Sequence, residues 1–239
     1  MPGSTADAEL LYNANPDIEV ITLRLLELDP EAIDAELPNA IDAAVNEIGD
    51  NYVHVVGFSI GAMAAIKIAA SRPNLVSRLT LISPAAPLSS GEFLDKMAGK
   101  PVFELALKQP KILRLLTRFQ GLVTRFSPNT MIKMLFAKCG PVEKDLLEDQ
   151  AFIGVMKMAL LESFVQSPTT YLGYISAYVA DWGDSLSGVL CPVELWHGTK
   201  DTWSPPEMSK YLADEIGEKA TLNLVQDAEH YSTLTQAKL

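Results

Sequence analysis

The sequence predicts an α/β fold: a mostly parallel sheet with flanking helices, interrupted by one long helical insertion. Three observations carry this. Short β-branched runs alternate with helix-spaced segments in residues 18–83 and again in 192–225. Residues 84–184, between these two regions, read as helices with short breaks. The alternation of strand and helix is the pattern of crossover connections, which join parallel strands in the right-handed sense and leave helices on the sheet faces.

The elements follow in order. Residues 18–23 (IEVITL) are rich in β-branched side chains and read as a strand. Residues 35–48 place Ile41, Ala44, Val45 and Ile48 at helical spacing. Residues 52–56 (YVHVV) form the next strand, and 62–70 (AMAAIKIAA) a helix of small residues that Arg72-Pro73 ends before a strand at 79–82. The sheet resumes with 192–197 (PVELWH), followed by a helix over 206–216 and a last strand at 221–225. This divides the chain into a core of residues 1–83 and 185–239 and a helical cap of 84–184. In such a sheet, ligands meet the chain at the carboxyl ends of the strands.

Composition narrows the function. The 239 residues are 48% hydrophobic, enough for a sizeable core, and no apolar run approaches the length of a membrane span. The first ten residues have no basic start followed by an apolar stretch, so a soluble, cytoplasmic protein is expected. Cys139 and Cys191 match no zinc or redox spacing and fit a reducing compartment. A formal charge of −11 argues against nucleic acid as a partner. The charge is uneven: residues 91–140 hold nine Lys or Arg against three acids, so this stretch is locally +6 and the rest −17. Within it Ile112, Leu113, Leu115, Leu116 and Phe119 alternate with Lys111, Arg114 and Arg118. Two readings stay open for this basic face: a solvated helix surface, or weak peripheral attachment to a membrane or attraction of anionic substrates.

Three motifs carry chemistry. Gly57-Phe58-Ser59-Ile60-Gly61 lies directly between a strand and a helix, where a sharp turn holds the serine hydroxyl clear of the sheet. Both glycines are expected because a Cβ at either position would collide with neighbouring backbone. The backbone N–H of Ile60, at the start of the helix, is placed to donate to a developing oxyanion. His197-Gly198-Thr199-Lys200-Asp201 follows a strand, so its loop can carry a carboxylate to the same edge, and Asp227-Ala228-Glu229-His230 follows the final strand. His54 in mid-strand and His197 at a strand end read as packing histidines, and Asp227 as a turn residue. Tyr171, Tyr174, Tyr178 and Trp182 recur at helical spacing, as lining of an acyl pocket or as packing.

The runs GFSIGAMAA, CPVELWHGTKDTWSPP and AEHYS, in that order, resemble segments of the α/β-hydrolase superfamily. The resemblance implies Ser59 as nucleophile, His230 as general base and then acid, and Asp201 as the group that orients the imidazole. It implies a serine esterase acting on a small or medium carboxylic ester, with a small-molecule acyl substrate and no metal or organic cofactor. Thioester and carbon–carbon bond hydrolysis use the same three residues, and a catalytically silent binding protein is the reading from another class. One departure stands out: Met1-Pro2-Gly3-Ser4 resembles the tail of the loop that follows a His-Gly pair, with the first three strands of the usual sheet absent. The segments at 18–23 and 52–56 must then pair directly or leave a gap. A second oxyanion donor would come from Met1, Gly3 or a neighbour, because Pro2 has no N–H.

Overall fold

The computed structural model describes residues 4–49 and 52–239. Helix α1 (Asp7–Ala14) is followed by a largely irregular stretch with one 3-10 turn (Leu25–Glu27) and by α2 (Ile33–Ile48), which ends on Gly49 in the left-handed region at φ 75°. Strand β1 (Val53–Phe58), helix α3 (Gly61–Ser71) and strand β2 (Val76–Ile82) come next. Then follow α4 (Lys100–Lys108), α5 (Pro110–Phe126), α6 (Pro128–Leu135), α7 (Pro141–Asp145), α8 (Gln150–Leu161) and α9 (Pro168–Val179), so the region between β2 and β3 is helical as expected. The chain closes with β3 (Val193–Gly198), α10 (Glu207–Ile216), β4 (Ala220–Val225) and α11 (His230–Leu234).

The four strands lie in the order β1-β2-β3-β4, and every pair is parallel. Parallel strands flanked by helices are buried on both faces, and the second half of β2 follows this: Leu79, Thr80, Leu81 and Ile82 are wholly buried. Helix α3 packs on β1 and β2, and its small residues Ala62 and Ala65 lie directly against Gly57 of β1. Because all four strands run the same way, the loops after them converge on one edge. Ser59 follows β1, Ser83 follows β2, Asp201 follows β3 and His230 follows β4.

Residues 18–23 do not form the expected strand; they are irregular, with no ladder partner among the described residues. The reason is a gap beside the outer edge of β1. Val53 N–H donates to Leu75 O and Ser59 N–H to Ile82 O, both at 3.0 Å, so the odd-numbered residues of β1 face β2. By alternation His54, Val56 and Phe58 direct their peptide groups the other way, where no strand pairs. Residues 18–23 stand across a gap from that edge, and both line a cavity of about 770 Å³ that reaches Ser59. β-Propensity without a hydrogen-bonding partner within reach leaves a segment irregular.

Candidate active site

Ser59 is held at φ 57°, a left-handed conformation that costs a non-glycine residue energy and persists only where surroundings enforce it. Its N–H is tied to Ile82 O, and its own carbonyl accepts from Ala62 N–H at 3.1 Å and Ala85 N–H at 3.0 Å. A Cβ on Gly57 would come within 2.7 Å of Ala65 Cβ and 2.9 Å of Ala62 Cα. Glycine at 57 is therefore a steric requirement of the close approach of α3. The expectation for Gly61 is corrected: a Cβ there meets nothing within 4 Å, because the position opens α3 on its free side. Gly57→Ala is expected to destabilise the fold by about 1–3 kcal/mol, and Gly61→Ala to stay within about 0.5 kcal/mol of wild type. Urea unfolding midpoints of the two variants check the contrast.

The three residues named from the motifs meet. His230 Nε2 lies 2.9 Å from Ser59 Oγ, and His230 Nδ1 lies 2.7 Å from Asp201 Oδ2. The tautomer that satisfies both contacts carries its proton on Nδ1, donates it to the carboxylate and accepts the serine O–H at Nε2. Asp201 is 4% exposed, and its other oxygen accepts from the backbone N–H groups of Trp203 at 2.8 Å and Ser204 at 3.1 Å. Burial pushes the Asp201 carboxyl up, but the charge of His230 and hydrogen bonds from His197 and His230 outweigh it and hold the group well below the usual carboxylate range. The backbone N–H of Ile60, at the start of α3, has no hydrogen-bond acceptor among the described residues. Of the expected sources for a second donor, Met1 and Gly3 lie outside the described residues. Ser4 and Thr5 are engaged elsewhere, since the hydroxyls of both and the Thr5 N–H donate to the Glu162 carboxylate.

The bland readings of the other candidates agree with their surroundings. His54 bonds Thr80 Oγ1 at 2.8 Å through Nε2, away from Ser59. His197 is fully buried behind Asp201; its Nε2–H donates to Ser204 O at 2.7 Å and its Nδ1 faces Ser209 Oγ at 2.5 Å. Asp227 occupies a turn at φ 61° and pairs with Lys200 at 2.8 Å. Of the aromatic series, Tyr171 lines the cavity, while Tyr174 donates to Ile60 O at 3.3 Å and Tyr178 to Ala86 O at 3.0 Å, bracing the turns after β1 and β2. Trp182, just past the end of α9, donates its indole N–H back to Tyr178 O at 3.2 Å.

Several residues around the site carried no motif. Trp203 stacks on the His230 ring at a centroid distance of 5.4 Å and 15° between planes, a geometry that favours an imidazolium. Its indole N–H donates to Cys139 Sγ at 3.0 Å, and burial pushes that thiol up to about 11, so it stays protonated. Cys139 and Cys191 are both free and buried. Glu143, wholly buried in α7, accepts from the N–H groups of Tyr231 at 2.5 Å and Ser232 at 3.0 Å. These belong to the first turn of α11, which has no internal acceptors for them. Glu229 reaches the opposite way to accept from Gly140 N–H at 2.8 Å. Two glutamates thus bolt the segment around α7 to the short helix that begins at His230. Trp203 and Glu229 sit beside motif residues in sequence; Glu143 is some 90 positions away, and nothing in its neighbourhood marks it.

Comparison with known proteins agrees with this architecture. A family model described as the alpha/beta hydrolase fold matches residues 24–237. A stretch of 75 residues, 30% of this chain, is 39% identical to Lipase LipV of Mycobacterium tuberculosis and spans 28% of that protein. Among solved structures, a thermophilic esterase from Thermogutta terrifontis superposes with a TM-score of 0.56 at 17% identity, covering 87% of this chain and 68% of that one. A hydrolase from Oleispira antarctica gives a TM-score of 0.57 at 15% identity, covering 92% and 71%. At such identities the superpositions speak to the fold alone. With four parallel strands, their loops gathered on one edge and a family model that matches most of its length, the chain belongs to the alpha/beta hydrolase fold family.

Proposed function

We propose that this protein is a serine hydrolase that cleaves a small or medium carboxylic ester through an acyl-enzyme intermediate. The observation that carries the reading is the unbroken relay Ser59 Oγ–His230–Asp201, with both hydrogen bonds at 2.9 Å or less. Ser59 Oγ attacks the ester carbonyl and passes its proton to His230 Nε2; the Ile60 N–H donates to the oxyanion that forms. The imidazolium, supported by Asp201 and by the face of Trp203, returns that proton to the leaving alkoxide. Water then attacks the acyl-enzyme with His230 as base, and the acid departs as Ser59 recovers its proton.

Residues 84–184 serve as a cap over this edge. Met97, Phe103, Leu135 and Phe164 from this region line the cavity together with Trp203, giving the acyl group an apolar wall. Its volume of about 770 Å³ lies within the usual range for a site that encloses a small ligand. The 39% identity over 75 residues to a protein named a lipase supports this reading.

A fluorophosphonate probe tests it. The expected result is a covalent adduct that mass spectrometry places on Ser59, together with turnover of short p-nitrophenyl esters that the probe abolishes. A folded protein that neither reacts with the probe nor hydrolyses any ester of the series is a silent scaffold, and the proposal fails.

A further inference from the structure

Helix α5 has three faces where a surface helix ordinarily has two. Leu113, Thr117 and Thr124 are buried against the rest of the molecule. Ile112, Leu115, Phe119, Leu122 and Phe126 recur at spacings of three and four residues, which gathers them into a sector about 80° wide. That sector faces outward: the five side chains are 48%, 66%, 55%, 57% and 76% exposed. Lys111, Arg114, Arg118 and Arg125 fill the next sector; they too are exposed, and none is ion-paired among the described residues. The helix contains no acid.

Single exposed apolar side chains are ordinary, but a row of five along one helix is not. An apolar row with a basic row beside it is the arrangement by which a helix lies in the plane of a lipid surface. Charge selects the kind of lipid. The chain carries −11 overall, so an anionic surface repels most of it and attracts this face. A second copy docked on the same row would bring the two sets of four cations together. Among the described residues no helix is long and apolar enough to cross a membrane, so the contact would be in-plane.

We propose that α5 is a docking surface for an anionic lipid surface, with Phe119 and Phe126 immersed in the acyl boundary and Lys111, Arg114, Arg118 and Arg125 at the headgroups. This goes beyond the hydrolase reading and does not depend on it, because binding is measured without turnover.

The test is co-sedimentation of the full chain with vesicles of phosphatidylcholine alone or mixed with phosphatidylglycerol. Wild type is expected to bind the mixed vesicles, to bind the neutral ones far less, and to lose binding as added salt shortens the screening length. R114Q/R118Q is expected to lower partitioning by about 25-fold, at about fivefold per cation. F119S/F126S is expected to lower it by about tenfold or more. All four side chains are exposed, so unchanged melting temperatures should accompany both losses. Equal binding to neutral and anionic vesicles, or variants that bind as wild type, would overturn the proposal. So would a dimer at sedimentation equilibrium that F119S/F126S dissociates, which would assign the row to a second copy.

Discussion

Ser59→Ala is expected to lower kcat for a p-nitrophenyl ester by about a million-fold, with KM changed only a few-fold. In the proposed mechanism the hydroxyl is the atom that forms the covalent bond, and the neighbouring serines are engaged elsewhere: Ser83 Oγ is turned away to donate to His230 O, and Ser204 Oγ donates to Ser83 O at 2.7 Å. Alanine keeps the backbone at 59 intact apart from the same left-handed strain, so the fold should survive. Turnover at wild-type level would mean that another nucleophile is at work and would remove the relay from the mechanism.

Asp201→Asn is expected to lower kcat by about ten-thousand-fold. An asparagine would retain an oxygen for the Trp203 and Ser204 N–H groups and present its NH2 to His230. The imidazole then has to accept at Nδ1, which moves its proton to Nε2, facing Ser59, and leaves no base for the serine. The substitution also has a stability signature. Asp201 is held below its ordinary value of 3.8 in the folded protein, so its contribution is present above that value and is lost as pH falls toward the depressed one. Wild type should therefore lose stability on the acid side of pH 3.8, and Asp201→Asn should remove this part of the slope. Steady-state kinetics and urea unfolding between pH 2.5 and 7 measure both effects. A variant that retains wild-type kcat would sink the assigned role of Asp201.

How far the site was legible depended on locality. Ser59, Asp201 and His230 could be named because each follows a strand that its own neighbours specify, and parallel strands bring such loops to one edge. Trp203 was within the quoted run HGTKDTWSPP but carried no rule that would place its ring on His230. Glu143 was invisible. Its task is to accept two N–H groups of α11, and that pairing exists only once α7 has packed against α11. Gly57 and Gly61 mark the same divide: the motif treats them alike, whereas only Gly57 lies under α3.

The sequence by itself determined the α/β class and the parallel order of elements, because hydrophobic period and turn chemistry act over a few residues at a time; the resemblance of three short runs pointed to Ser59, Asp201 and His230. The tertiary structure decided whether residues 18–23 became a strand, since a ladder needs an edge within hydrogen-bonding distance, and β1 presents its outer edge to a cavity. It also decided which side of α5 faces outward. A helical period tells which residues share a face, but what covers that face depends on the packing of distant segments.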